Sequence, residues 1–210
     1  MSNTSHRKGF TLIEMIISLG IFMLFLTAMF GTYIRITGLQ QKTNLSREAI
    51  AEAREVMTYI SDEVKDKAID YSCYKDLFPC VNGINGNNVE EISLISKDGL
   101  QRTIIKKIRE PETGKIYLTT LNQSRTNTAN QQWIDQTQES QLHSDTLEFR
   151  DVIFQITPNQ DPFSNDIEIA SRDDLQYQPV IHIDLNVAQP ESDSTIVLET
   201  SVSSRIYNSF

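Results

Sequence analysis

The sequence predicts an α+β protein in which one long N-terminal helix packs on a C-terminal antiparallel β-sheet. Two observations support this fold class. Residues 10–69 contain no proline and repeat their apolar side chains at helical spacing, whereas much of the remaining chain alternates apolar and polar residues between turn-forming sequences. An antiparallel sheet with one apolar face needs a cover, and the amphipathic part of the helix supplies it.

The helix begins with a segment long enough to span a membrane. No charged residue occurs from Met15 to Ile34, and about 20 apolar residues cover the roughly 30 Å hydrocarbon core of a bilayer. The run is also too long for the apolar region of an ordinary secretory signal. One acid, Glu14, lies inside the entrance. Inserting an acid there costs roughly 2.5–3.5 kcal/mol, which indicates a functional site that needs a cationic partner.

Beyond the membrane segment, the apolar residues narrow to a single stripe. They recur at intervals of three and four residues, and charged residues occupy the rest of the surface. The stripe consists of Leu45, Ala49, Ala53, Val56, Ile60, Val64 and Ala68. The pattern predicts one continuous helix over residues 10–69. Its first half is buried in lipid or among like helices, and its second half lies on the protein's own domain.

After residue 69, the pattern changes to strands and turns. Asp98-Gly99 is typical of a hairpin turn, and residues 110–114 form a turn by composition. Strands are predicted at 92–96, 100–109, 115–121, 146–157, 180–187 and 195–207. The fourth strand changes its apolar face midway, which indicates a β-bulge. Residues 122–141 are polar except for Trp133-Ile134, and we interpret them as a long surface segment.

The residues at the start of the helix resemble a known signal. Arg7-Lys8-Gly9-Phe10-Thr11-Leu12-Ile13-Glu14 is similar to the class III signal sequence of type IV pilins and of type II secretion pseudopilins. The shared features are a short basic leader, Gly, an aromatic residue, Glu four positions on, and a spanning apolar run. The resemblance implies that prepilin peptidase cuts between Gly9 and Phe10, and that Phe10 is then N-methylated. It also implies that Glu14 meets the N-terminal amine of a neighbouring subunit during filament assembly.

Together, the pattern and the resemblance divide the chain into four parts. These are a prepilin leader (1–9), a transmembrane and assembly helix (10–35), the amphipathic half of the helix (36–70) and a β-rich globular domain (71–210). The basic leader would stay cytoplasmic by the positive-inside tendency, which places the globular domain outside the cytoplasm. The implied partners are other pilin or pseudopilin subunits, bound through the N-terminal helix, prepilin peptidase and an inner-membrane assembly platform.

The first functional hypothesis is a minor structural subunit of a type IV pilus or of a type II secretion pseudopilus. Within that class, the chain is similar to the larger minor subunits of the J type, through the short motifs at 46–48 and 198–205. The alternative is a filament-tip adhesin or DNA-uptake subunit that binds through residues 122–141. A membrane-anchored enzyme is a third hypothesis, for which no catalytic group of residues is apparent.

An ordinary signal anchor, in which Gly-Phe and Glu occur by accident, is the alternative to the pilin resemblance itself.

The charge balance disfavours nucleic acid as a partner. Removal of the leader takes away Arg7 and Lys8 and leaves 17 of the 19 basic residues against 28 acidic ones, a net charge of −11. Proteins that recognise nucleic acid normally present a basic face. The small basic group at Lys106, Lys107 and Arg109 is interpreted as a solvated hairpin. We therefore expect no nucleic acid partner and no cofactor.

Cys73 and Cys80 permit one intrachain pairing, which an oxidising compartment would favour. A disulfide between them would close a loop of about eight residues and stabilise the fold by roughly 2.5 kcal/mol in the chain-entropy model. Two free buried thiols and half of a metal site remain the alternatives.

No metal is expected from the remaining candidate ligands. His143 and His182 belong to separate predicted segments, and both are interpreted as surface residues. The acidic residues between 161 and 174 could supply oxygen ligands to Ca²⁺, but they lack the EF-hand spacing. We favour a solvated loop there, and calcium binding stays open.

Overall fold

The computed structural model describes residues 11–75, 88–127, 132–145, 147–158, 161–162, 178–188 and 195–204. Within these ranges, the fold class is the predicted one, a long N-terminal helix followed by an antiparallel sheet. Contacts along the chain separate two compact units, Met1–Leu45 and Ser46–Phe210. The four functional parts assigned from the sequence remain predictions.

Helix α1 covers Leu12–Asp66. At its start, the Thr11 hydroxyl accepts a hydrogen bond from the Glu14 amide (3.4 Å), and the Glu14 carboxylate accepts one from the Thr11 amide (2.9 Å). This reciprocal pair is a capping box, which satisfies two of the backbone donors that a helix leaves unpaired at its start. The helix ends at Asp66 instead of residue 69, because Ala68 and Ile69 pair with a strand.

The described part of the globular unit forms one antiparallel sheet of ten strands and a short helix. The strands are β1 Ala68–Ile69, β2 Asn88–Val89, β3 Glu91–Ile95, β4 Gln101–Arg109, β5 Ile116–Ser124, β6 Ile134–Asp135, β7 Ser140–Gln141, β8 Phe149–Thr157, β9 Val180–Ala188 and β10 Thr195–Ser203; helix α2 covers Ser72–Lys75. The strand order is β1-β3-β4-β5-β8-β9-β10; β2 pairs with β8, and both β6 and β7 pair with β5.

Two predicted turns and the predicted bulge are confirmed. Gly99 and Gly114 adopt positive φ angles of 68° and 71°, a backbone conformation that side chains with a Cβ seldom tolerate. They allow β3 to turn into β4 and β4 to turn into β5. In β8, the pairing with β9 shifts register between Phe149 and Asp151, at the point where the apolar face of the sequence changes.

The apolar stripe of α1 packs against one face of the sheet within the second unit. Its buried members are Ala49, Ala53, Val56, Ile60 and Val64, which join one core cluster with residues of β3, β4, β5, β8 and β9. The alternate residues of β9, namely Ile181, Ile183, Leu185 and Val187, are fully buried. Leu45, the first member of the predicted stripe, is 37% exposed and lies in the first unit.

The described residues of the 122–141 segment lie at the surface, as interpreted, but several of them belong to strands. β5 continues to Ser124, and β6 and β7 both pair with β5. Trp133 does anchor the segment, since its ring lies 4.4 Å from the Arg102 guanidinium and 4.7 Å from that of Arg125. Ile134, the other expected anchor, is 54% exposed. The segment is held by hydrogen bonds and charge, which hydrophobic periodicity cannot reveal.

Candidate functional site

The first part of α1 presents apolar side chains in every direction. Its large apolar residues from Leu12 to Leu39, other than Leu26, are between 49% and 78% exposed. Among the described residues, this helix is the one that has the length and composition to cross a membrane, with a mean hydropathy of 2.3 over an 18-residue stretch. An exposed apolar surface of this extent marks a contact with lipid or with other protein.

The polar residues of this apolar segment are satisfied by their own helix. The hydroxyls of Ser18, Thr27 and Thr32 donate to the carbonyls four residues earlier, at 2.7, 2.8 and 3.0 Å. Such back-bonding removes the need for a partner on a neighbouring chain. Glu14 is therefore the residue in this segment whose charge requires a partner outside the helix.

One of the two carboxylate oxygens of Glu14 accepts hydrogen bonds at the start of the helix. Its Oε2 accepts hydrogen bonds from the Thr11 amide (2.9 Å) and the Thr11 hydroxyl (3.0 Å). A carboxylate offers about four lone-pair positions, and none of the described residues donates to Oε1. The geometry leaves one oxygen for an external donor while the other holds the helix cap.

Several predicted sites lie outside the described residues. Gly9 and Phe10, the predicted cleavage and methylation positions, are among them, and so is Cys80. Cys73 lies in α2 and is 2% exposed. Peptide cleavage, methylation and the Cys73–Cys80 disulfide all stay predictions. Most of the acidic stretch 161–174 is likewise outside the described ranges.

The expectation that His143 is a surface residue was wrong, since it is 8% exposed. Its Nε2 accepts from the Leu118 amide (3.2 Å), and Nδ1 lies 2.9 Å from the Ser144 carbonyl, so this network assigns the ring proton to Nδ1. The ring lies edge-on to Phe149 with centroids 4.9 Å apart. A polar sequence context did not show that the segment after β7, which carries His143, would pack this ring against β5 and β8. His143 therefore has a packing role.

The small basic group on β4 is largely neutralised by neighbouring acids. Lys106 pairs with Glu139 (3.2 Å), and Lys107 pairs with Asp151 (3.0 Å). Hydrogen bonding by Thr119 is the main reason that the pKa of Glu139 lies below its ordinary value. Two of the three cations of this group therefore already have acidic partners on neighbouring elements.

A buried ion pair under Trp133 was not foreseen. Arg102 and Asp70 are 3% and 5% exposed, and Nη1 of the first lies 3.6 Å from Oδ2 of the second. Arg102 also donates to Gln123 Oε1 at 2.9 and 2.6 Å. Burial lowers the pKa of Arg102, and the Asp70 charge opposes that shift. The partners come from β4, β5 and the segment after β1, so no local motif could have shown them.

Within the ranges that the structure describes, one group of side chains has the chemistry of a metal site. His182 and Asp184 on β9 and Glu199 on β10 each place a ligand atom within 4.8 Å of the others. His182 was expected at the surface, and it is partly exposed on β9. The sequence analysis did not bring in Glu199, although the hairpin register that pairs β9 with β10 is the signal that would have done so.

Comparison with known proteins identifies the N-terminal segment. Residues 4–30 match the family model described as the prokaryotic N-terminal methylation motif, which marks the prepilin-type signal. No curated protein and no solved structure matches the chain. The fully apolar start of α1, with its single acid, thus coincides with the matched motif. The chain carries the prepilin-type signal of type IV pilins and pseudopilins at the start of a helix suited to be a single membrane anchor.

Proposed function

We propose that this protein is a minor structural subunit of a type IV pilus or of a type II secretion pseudopilus. The observation that carries the proposal is the methylation motif at residues 4–30, which coincides with the first part of α1, where the large apolar side chains are mostly exposed. Proteins with this signal are generally structural and not enzymes. We accordingly propose no catalytic activity for the chain.

Processing comes first in the proposed sequence of events. Prepilin peptidase removes the leader between Gly9 and Phe10, and Phe10 is then N-methylated. Cleavage creates an α-amino cation four residues from Glu14, at the level where the acid enters the apolar layer. The intact mass of membrane-extracted protein should show loss of residues 1–9 and gain of one methyl group. A mature protein that retains Arg7 and Lys8 would contradict the proposal.

Assembly then uses the pairing of Glu14 with the Phe10 amine of an adjacent subunit. The Thr11 contacts occupy Oε2, which supports a role for Oε1 as the acceptor of the incoming cation. A charge pair inside an apolar layer is stabilised by the low dielectric, and loss of one partner leaves the other uncompensated. The pairing sets the axial offset between subunits, because the start of one lies beside the acid of the next.

The remaining partners follow from the same reading. The subunit is inserted as a single-pass protein of the cytoplasmic membrane with its C-terminal domain outside the cytoplasm. In that membrane it meets an assembly platform of the inner membrane and other pilin or pseudopilin subunits. It then becomes part of an extracytoplasmic filament. A minor role of the J type is our finer proposal. The alternative role as a tip adhesin or DNA-uptake subunit has less support, since residues of the 122–141 segment are bonded to β5.

Glu14 provides the decisive experiment. Glu14→Gln keeps an acceptor for the capping box but removes the charge, whereas Glu14→Leu removes both. We expect both variants to insert into the membrane and both to be strongly depleted from filaments. Sheared-filament and membrane-fraction protein should be compared for wild type and variants, with Met15→Leu as the volume-conserving control next to the acid.

The Gln variant separates two explanations. If Glu14→Gln enters filaments as well as wild type while Glu14→Leu does not, the acid acts through the helix cap and the proposed charge pair is wrong. Wild-type protein that is absent from sheared filaments would contradict the structural role itself.

A further inference from the structure

The outward face of the β9–β10 hairpin concentrates groups that bind metals. In the register of this pair, Asp184 lies opposite Glu199 and His182 lies opposite Ser201. His182 and Asp184 are two residues apart on β9 and therefore point to the same side of the sheet. Ligand atoms of the two carboxylates and the imidazole lie within 4.8 Å of one another. Strand register, and not a flexible loop, fixes this arrangement.

The imidazole is already oriented for ligation. His182 Nδ1 lies 2.6 Å from the Ser201 hydroxyl oxygen, and Nε2 lies 3.2 Å from Asp184 Oδ1. A hydrogen bond to one ring nitrogen is how metal-binding histidines are usually held, because it fixes the ring and directs the other nitrogen at the ion. Ser201 thus occupies the supporting position, and Nε2 faces the carboxylates.

Apart from His182 itself, no basic residue is paired with the two carboxylates in the described strands. Like charges directly opposite each other destabilise a sheet, and the β8 residues paired with His182 and Asp184 are Gln155 and Ile153, neither of them basic. Asp184 Oδ1 is shielded from solvent. His182 Nε2 lies 3.2 Å from it and is an ion-pair partner when the imidazole is protonated, but this contact lacks hydrogen-bonding geometry. When the imidazole is neutral, no cation among the described residues offsets the desolvation of this buried oxygen.

We propose that His182, Asp184 and Glu199 form a binding site for a divalent transition metal of the Zn²⁺ type. Imidazole nitrogen and carboxylate oxygen are both ordinary zinc ligands, at about 2.0–2.2 Å from the ion. A tetrahedral ion therefore places its ligand atoms about 3.4 Å apart, close to the 3.2 Å between His182 Nε2 and Asp184 Oδ1. Glu199 is exposed on β10, and its carboxylate lies within 4.8 Å of the other two ligand atoms. Three protein ligands leave a fourth position for water.

The donor set argues against Ca²⁺ at this position. Calcium takes about six to eight oxygen ligands and seldom uses nitrogen, whereas this site offers two carboxylates and one imidazole. Binding would join β9 to β10 by an ion and relieve the repulsion between the opposed acids. The inference is independent of the proposed filament role.

Zinc binding by the full-length protein in detergent, without a histidine tag, tests the site. We expect isothermal titration with zinc chloride to show saturable binding of one ion per chain. His182→Asn, Asp184→Asn and Glu199→Gln should each weaken it by at least tenfold, and Ser201→Ala by about tenfold through loss of ring orientation. Co²⁺ in place of Zn²⁺ should give visible absorption that is lost in His182→Asn.

Glu112→Gln is the matched control, because it removes one exposed acid in the turn between β4 and β5. It should leave zinc affinity unchanged. Without metal, Glu199→Gln should unfold at the same or a higher temperature than wild type, since it relieves repulsion, and this result also shows that the variant folds. The proposal is overturned if wild type shows no saturable binding, if affinity survives all three ligand substitutions, or if Ca²⁺ competes as well as Zn²⁺.

Discussion

The two compact units use the same kinds of residue for opposite purposes. In the first unit, Ile16 is 61% exposed, whereas in the second unit Ile60 of the same helix is fully buried. Helix geometry and residue type are the same at both positions, so the difference lies in what surrounds them. The core of its own domain surrounds Ile60, whereas exposed apolar surface of the kind around Ile16 marks a contact with lipid or with other protein. Apolar composition thus predicts burial but does not name the partner.

The largest effect in the globular unit should come from Arg102. Arg102→Ala leaves the buried Asp70 carboxylate without its cation and Trp133 without one of its two guanidinium contacts. Breaking a buried ion pair from one side costs about 3–5 kcal/mol of unfolding free energy. Urea unfolding of full-length protein, followed by circular dichroism, measures the loss. Arg109→Ala removes an exposed arginine from the same strand, and its unfolding free energy should stay within about 0.5 kcal/mol of wild type. Equal losses in the two variants would show that the buried ion pair does not account for the effect of Arg102→Ala.

Ile60→Ala and Ile16→Ala test the contrast between the units directly. The first variant empties part of the core and should lower the unfolding free energy of the globular unit by about 2–5 kcal/mol. The second removes the same atoms from an exposed position and should change that free energy by less than about 0.5 kcal/mol. Fluorescence of Trp133, the single tryptophan of the chain, reports unfolding of this unit. Comparable losses from both variants would mean that the two units unfold as one.

The proposed disulfide should have a smaller effect. Cys73→Ser with Cys80→Ser should lower the unfolding free energy by roughly 2.5 kcal/mol if the only contribution is loop closure. Reduction of wild type should give a similar loss, whereas the double variant should be insensitive to reductant, which separates the bond from the packing of the buried Cys73 side chain. Peptide mapping under nonreducing conditions checks the pairing, and two alkylatable thiols in the exported protein would contradict it.

Patterns that repeat along the chain were enough to predict most of the fold. Three of the predicted features are local, namely the helical stripe around Val56 and Ile60, the glycine turn at Gly99 and the face change in β8. Each can therefore be recognised within about ten residues of sequence. The end of α1 was placed three residues too late, because Ala68 continues the helical spacing yet is drawn into β1. At this position, pairing with a distant strand outweighs the local helix propensity.

What the sequence did not reveal depends on register between distant strands. Arg102 meets Gln123 because β4 pairs with β5, and Glu199 meets Asp184 because β10 pairs with β9. A shift of one residue in either pair would send each side chain to the opposite face, so these contacts cannot be assigned before the pairing is known. The prepilin signal is the opposite case. Its chemistry lies in consecutive residues, and it can be recognised without any tertiary structure.

The capping box at Thr11 and Glu14 bears on how growth of a polymer of such subunits could be stopped. Under the proposed pairing, each processed subunit has two groups that form charge pairs, the Phe10 amine that it offers to one neighbour and the Glu14 carboxylate that it presents to another. A precursor that keeps its leader still has the capped acid but has no amine at Phe10. Such a molecule could accept one neighbour and then offer nothing in return. Unprocessed chains would therefore act as one-sided terminators, and the ratio of precursor to processed subunit would limit filament length.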